Sequence, residues 1–375
     1  MDTLKIGRLV GFHKLLDQPL ATLRTLEVSV QYERFQVPTL HSTPNEFPAL
    51  TSLTVRNVSA ALAFRGPRIT QLHITISTLC NRGVLAFINL VESCALLEEL
   101  EIENETGLVD DLPLSPDHVI PLPHLRSFTQ TLHCDLHSAG VLNNLWLPPS
   151  CSVLLRCVPV GIGKGYPPLS LPDLRNRSYL TNVKRLKVFY AEGCVGHKCS
   201  TTLDFINDSG TRFTVRTEFI NYYTSLPEEC TGGERINLPA SMVEVLCIGG
   251  HKEVQLEKYQ HLTTLILSES VVYQYLESLA GPEILDTLES LRTLVLFVEP
   301  LLLTSDLVRA LLKVARKRAK AGLPLQTITF ACPSMPLPGD LMVLEVLDVY
   351  VERVVLLLGD DALDWDHDKY FLNGV

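Results

Sequence analysis

Apolar and polar positions follow one recurring phrase along this chain: an apolar residue, two spacers, an apolar residue, one spacer, and a third apolar residue. It occurs at Leu23-Leu26-Val28, Leu50-Leu53-Val55, Ile69-Leu72-Ile74, Leu97-Leu100-Ile102 and Val183-Leu186-Val188. It returns at Val243-Leu246-Ile248, Leu262-Leu265-Leu267, Leu291-Leu294-Leu296, Leu325-Ile328-Phe330 and Leu344-Leu347-Val349. At Leu125 the phrase starts with Phe128, but Gln130 takes the third apolar place. Two apolar residues separated by one spacer share a face of a short strand, and the first packs beneath the turn that enters it. Repetition at roughly 20–29 residues marks a solenoid whose strands bury a ladder that no single repeat buries alone.

The segments between phrases fit this reading. Val84, Phe87, Ile88 and Val91 stand at helical spacing within 81–93. Thr304, Ser305 and Asp306 suit the start of a helix over 304–321, Gly322 its C′ position, and Pro324 its stop. The predicted fold class is therefore α/β: a leucine-rich-repeat horseshoe with short parallel strands on the concave face and helices and loops on the convex face. Leu112 to Pro123 and Pro148 to Pro172 are rich in proline and glycine and are expected to be loops or irregular repeats. Residues 202–206 and 213–217 flank Asn207-Asp208-Ser209-Gly210 and predict an inserted β-hairpin. The expected organisation is one domain over 1–375: N-terminal repeats to 180, an irregular repeat with the hairpin over 181–238, C-terminal repeats over 239–358, and an acidic cap or tail over 359–375.

The spacer positions, which face away from the leucine ladder, change character along the chain. Early ones are polar: Thr25, Glu27, Ser52, Thr54, Arg56, Gln71, His73, Thr75, Glu99, Glu101 and Glu103. Late ones are apolar. Ile266, Val295, Phe297 and Tyr350 are expected to form one strip on the concave face, shielded either by the C-terminal tail or by a bound protein. These four are the candidate partner-binding residues.

Composition narrows the partners. Hydrophobic residues make up 46% of the chain and charged residues 20%, enough for a large core, and the net charge of −10 disfavours nucleic acid and anionic lipid. The ten cysteines follow no disulfide or metal framework and read as small buried hydrophobes. No signal peptide or membrane-spanning run is visible, which predicts a cytoplasmic or nuclear protein.

Local patterns that could carry chemistry are each incomplete. His133 and His137 stand four apart, but Cys134 occupies the place of the activating glutamate of a zinc protease. Cys194, His197 and Cys199 lack a fourth zinc ligand nearby. Gly161-Ile162-Gly163-Lys164-Gly165 lacks the Ser/Thr of a phosphate loop, and Tyr166-Pro167-Pro168 blocks the helix that would follow. Asp364, Asp366 and Asp368 mimic a calcium loop, but Lys369 holds the glycine position. The basic residues from Arg309 to Lys320 complement a helix C-terminus. No cofactor, metal or catalytic residue is expected. A hydrolase or metal enzyme on an irregular α/β domain stands as the alternative reading.

Phe47-Pro48-Ala49-Leu50-Thr51-Ser52-Leu53-Thr54-Val55, Cys94-Ala95-Leu96-Leu97-Glu98-Glu99-Leu100-Glu101-Ile102 and the stretch Asp364-Trp365-Asp366 carry a family likeness. The chain resembles the leucine-rich-repeat portion of the F-box-like protein family of mushroom-forming fungi. That resemblance implies a substrate receptor of a cullin–RING ubiquitin ligase, in which repeats hold the substrate and an F-box docks a Skp-type adaptor. Residues 1–22 are too short for an F-box. Leu171-Pro172-Asp173-Leu174 and Leu226-Pro227-Glu228-Glu229 are followed by Asn, Arg and Gly rather than an apolar helix. The expectation is a non-catalytic module for a protein partner that the residues do not specify, with no Skp-type adaptor bound through an F-box.

Overall fold

The computed structural model describes residues 3–6, 21–29, 47–56, 66–76, 81–104, 119–132, 142–157, 182–192, 198–220, 242–250, 254–268, 271–298, 304–332 and 344–358. The first strands are β1 (Thr3–Ile6), β2 (Thr25–Ser29), β3 (Ser52–Arg56), β4 (Gln71–Ile76) and β5 (Glu99–Asn104), with helix α1 (Asn81–Ser93) before β5. Next come β6 (Ile120–Pro121), β7 (Ser127–Leu132), β8 (Leu145–Trp146) and β9 (Ser152–Cys157). Three longer strands follow: β10 (Val183–Glu192), β11 (Lys198–Asn207) and β12 (Arg212–Ile220). The remainder holds β13 (Val245–Gly249), β14 (Thr264–Leu267), α2 (Val272–Leu279), α3 (Pro282–Thr287), β15 (Thr293–Phe297), α4 (Ser305–Lys320), β16 (Thr327–Cys332) and β17 (Arg353–Leu358).

The chain divides into two compact units, residues 1–178 with 211–218, and residues 179–210 with 219–375. In the first, β1-β2-β3-β4-β5-β7-β9-β12 pair side by side, every pair parallel. In the second, β10-β13-β14-β15-β16-β17 pair in parallel, and β11 joins β10 antiparallel. The architecture is thus α/β, dominated by parallel sheet with few helices.

Nine of the ten phrases lie on or lead into strands, and the register aligns them. Leu26, Leu53, Leu72, Leu100 and Phe128 stand opposite one another in succession, as do Leu186, Leu246, Leu265, Leu294 and Ile328. All are at most 2% exposed, so each phrase contributes to a continuous ladder. Full burial of one such side chain stabilises by roughly 1.5–3 kcal/mol.

The turns that enter six of the strands are also alike. The amide of the phrase's first residue donates to the carbonyl three residues earlier: Leu50 to Phe47, Ile69 to Gly66, Leu97 to Cys94, Leu125 to Leu122, Leu262 to Tyr259 and Leu291 to Leu288. Just before seven of the strands, one carbonyl accepts two amides from the next repeat. Arg24 O takes Thr51 and Ser52, Thr51 O takes Thr70 and Gln71, Thr70 O takes Glu98 and Glu99, and Glu98 O takes Arg126 and Ser127. In the second unit Glu244 O, Thr263 O and Arg292 O do the same. These bonds extend the strand ladders into the turns and pair backbone groups that would otherwise be lost in the core.

Helix α4 forms where expected. Thr304 Oγ1 accepts the Leu307 amide at 3.3 Å, and Gly322 takes a positive φ of 77° just past the end. A buried arginine ties this helix to the sheet: Arg318 is 0% exposed, and its Nη2 donates to the carbonyls of Leu288 and Leu291, each at 3.0 Å. Burial, and secondarily the charge of Arg292, lowers its pKa to about 10.

Several expectations need correction. Leu344-Leu347-Val349 is not a strand: residues 345–349 form a short 3-10 helix, and the strand is β17. Leu347 is buried all the same, in the entry turn, where its carbonyl accepts the Tyr350 and Val351 amides. The phrase proper is Val351-Val354-Leu356, seven residues later than expected. Within Pro148–Pro172, expected to be a loop or an irregular repeat, β9 is a strand built on Cys151, Val153 and Leu155, whose first spacing is one residue short. Gln130 keeps the third place of its phrase and is buried between Ile102 and Leu155, so a polar side chain sits within the ladder. The hairpin turn forms, with the Gly210 amide donating to Asn207 O and Gly210 at φ 79°. Its first strand, however, takes β10 as antiparallel partner, a pairing that the short 202–206 segment did not reveal.

Candidate functional site

The spacer positions of the first unit form the candidate site. Register places Glu27, Thr54, His73, Glu101 and Thr129 in one row across β2, β3, β4, β5 and β7. A second row runs Thr25, Ser52, Gln71, Glu99 and Ser127, and a third adds Arg56, Thr75, Glu103 and Thr131. Strand alternation puts all of them on the face away from the leucine ladder. Most are half-buried or exposed, Thr75 being buried. A cavity of about 230 Å³ opens there, lined by Ser52, Thr54, His73, Glu99, Glu101 and Thr129 among others.

Three side-chain contacts join β4 to β5 at successive positions of this face. Gln71 Nε2 donates to Glu99 Oε2 at 3.1 Å, His73 Nδ1 lies 3.1 Å from Glu101 Oε2, and Thr75 Oγ1 donates to Glu103 Oε2 at 3.3 Å. Each joins residues directly opposite in the register, the unit of stabilisation across a sheet. Further along, Lys5 Nζ lies 2.7 Å and Arg56 Nη2 3.8 Å from the Glu27 carboxylate. The Lys5 hydrogen bond, reinforced by the charges of Lys5, Arg56 and His73, outweighs burial and holds Glu27 below the ordinary glutamate pKa.

Chemically this face offers carboxylate and hydroxyl oxygens to hydrogen-bond donors. Among the described residues, His73 Nε2 is closed off from solvent and has no hydrogen-bond partner. Among the described residues, no group of three or more His, Cys, Asp or Glu side chains is placed to hold a metal. The buried thiols of Cys94 and Cys151 are pushed up to about 12 and that of Cys332 to about 11, so they stay protonated and weakly nucleophilic at neutral pH.

In the second unit three of the four candidate apolar spacers pack together. Ile266, Val295 and Phe297 join Ile206, Cys247 and Ala331 in one cluster, with Leu357 packed against it. Each of the first three is 0–1% exposed, so the strip is sealed within the chain. Tyr350 does not join them. It is half-buried in the turn after the 3-10 helix, because the last strand begins at Arg353 rather than in the preceding phrase. Beside Ile206, charge enters this face on β10 and β11: Lys187 and Asp204 stand directly opposite each other, both buried.

Sequence reasoning placed the polar spacers of β2 to β5 correctly. It passed over Ser127 and Thr129, because Gln130 made their phrase look broken. The patterns at His133–His137, Gly161–Gly165 and Asp364–Asp368, and His197 between its two cysteines, lie outside the described residues. Among the described residues no helix is long and apolar enough to cross a membrane. Compared with known proteins, the chain matches no family model, no curated protein and no solved structure.

Proposed function

We propose that the chain is a non-catalytic protein-interaction module, each unit a leucine-rich-repeat solenoid, that holds its partner on the polar spacer face of the first unit. The observation that carries this reading is the contrast between the two spacer faces. On β13 to β15 of the second unit Cys247, Ile266, Val295 and Phe297 seal it with apolar side chains, whereas in the first unit it is a half-exposed, polar surface spanning β2 to β7. The repeated entry turns and shared carbonyls support the solenoid, because they recur from repeat to repeat in both units. The family resemblance adds a role for the held protein, as a substrate presented for ubiquitination.

The partner is donor-rich where it meets β5, since Glu99 and Glu101 point acceptors into the cavity. The test is affinity capture by the intact chain and by Glu99→Lys/Glu101→Lys. A defined set of proteins retained by the first and lost by the second supports the reading. An identical set from both contradicts the assignment of this face, and stoichiometric metal with hydrolytic turnover in the purified chain contradicts the non-catalytic reading.

A further inference from the structure

Helix α4 carries its charge in one exposed row. Leu307, Leu311, Val314 and Arg318 form the buried row of the helix. Two residues further on, about 200° round the axis, the same spacing repeats in Arg309, Lys313, Arg316 and Lys320, all of them exposed. They make a single ridge about 16 Å long. Lys317 stands beside it, its Nζ donating to the Ala280 carbonyl. Of the ridge cations only Arg309 has an ion-pair partner among the described residues, Asp306 at 3.1 Å.

The helix dipole accounts for part of this row. Its favourable field is confined to the last turn, which holds Lys317, Arg318 and Lys320. Arg309, Lys313 and Arg316 lie before it. Within the ridge, like charges three and four residues apart repel one another and weaken the helix. An anion seated on the ridge turns that repulsion into attraction.

The surroundings define the partner. α2 and the 3-10 helix over 345–349 pack against α4. Both present exposed carboxylates, Glu277 on the first and Glu345 and Asp348 on the second. A broad polyanion, such as a nucleic-acid duplex or an anionic bilayer, would press its charge against these margins and against a chain of net charge −10. A narrow acidic segment no longer than the ridge avoids both.

We infer that the exposed ridge of α4 is a docking surface for a short acidic segment of a partner protein, whose carboxylates pair with Arg309, Lys313, Arg316 and Lys320. This surface belongs to the second unit, and its role and that of the polar spacer face of the first do not depend on each other.

Fluorescence anisotropy of a labelled oligoglutamate peptide of about eight residues, long enough to cover the ridge, titrated with the full chain tests this. The expected result is saturable binding that weakens as salt is raised, with none for an oligoglutamine peptide of the same length. Lys313→Glu/Arg316→Glu should weaken it by about tenfold. Arg24→Glu/Arg68→Glu, the same change in net charge at exposed positions of the first unit, should leave it unaltered. If circular dichroism shows that the reversal unfolds the helix, Lys313→Gln/Arg316→Gln should give the same loss in smaller measure. Absence of binding at low salt overturns the inference, as does binding that survives the ridge substitutions or falls equally with the Arg24 and Arg68 reversal. Tighter binding of duplex DNA or of phosphatidylserine vesicles through the same ridge residues overturns it as well.

Discussion

His73 and Glu101 stand directly opposite each other on β4 and β5, with the imidazole Nδ1 3.1 Å from the carboxylate. They lie at the middle of three consecutive cross-strand contacts on the open face, flanked by Gln71–Glu99 and Thr75–Glu103. Pairs of this exposure contribute little each. A double-mutant cycle of His73→Ala and Glu101→Ala, followed by urea unfolding, should give a coupling of about 1 kcal/mol or less. A much larger value would mean that the face is held by a buried network and is not open for binding.

The leucine ladder should behave oppositely. Leu100 and Leu294 are 1% and 0% exposed, and replacing either by alanine should cost about 2–5 kcal/mol. Chemical denaturation measures this, and losses below about 1 kcal/mol would be inconsistent with a packed ladder.

Arg318 gives a third expectation. Its truncation to alanine removes one of two donors from each of the Leu288 and Leu291 carbonyls, which keep the Leu291 amide and the Arg292 guanidinium respectively, and opens a hole under α4. The expected loss is about 2–4 kcal/mol, with Arg318→Met milder because it refills the space. Equal effects of the two substitutions would remove the hole from the explanation and leave the lost hydrogen bonds.

Glu27 carries a pH dependence of definite sign. Its pKa in the folded chain lies below the ordinary glutamate value, held down first by the Lys5 hydrogen bond. Its contribution is therefore fully present above the unfolded glutamate pKa and is lost as pH falls through the lower folded value. The stability difference between the unmodified chain and Glu27→Gln should shrink as pH is lowered across that window. A difference that grows on acidification would contradict the sign.

The thiols are expected to be silent. Cys94 and Cys151, at about 12, and Cys332, at about 11, should resist iodoacetamide at neutral pH in the native chain and react after denaturation. Rapid native labelling of Cys94 or Cys151 would show that their segments open readily.

Most of the strand register was legible from apolar spacing alone, because two leucines one spacer apart must share a face wherever the backbone is extended. What that rule could not see was the entry turn. Leu344-Leu347-Val349 has the same spacing as a strand phrase, yet its middle leucine fills the position that Leu288 takes ahead of β15, and the strand follows at Arg353. Tyr350 was misplaced for the same reason. β9 was hidden by its flanking prolines and a shortened first spacing, and β1 by its brevity. The open face of β2 to β5 could be read as polar spacers, but its contacts depend on register between residues 28 apart, such as His73 and Glu101, which no local pattern encodes. Burial of Ile266, Val295 and Phe297 likewise depends on what the chain packs over them, not on their own strands.

The most direct test of the account is site-specific photocrosslinking. A photoreactive residue placed at Thr54 or at Thr129, on the spacer face of the first unit, should form covalent adducts with a partner protein when the intact chain is irradiated in its native cell. The same residue at Glu92, exposed on α1, should not form those adducts. Adducts that arise equally from all three positions, or from Glu92 alone, would contradict the claim that this face holds the partner.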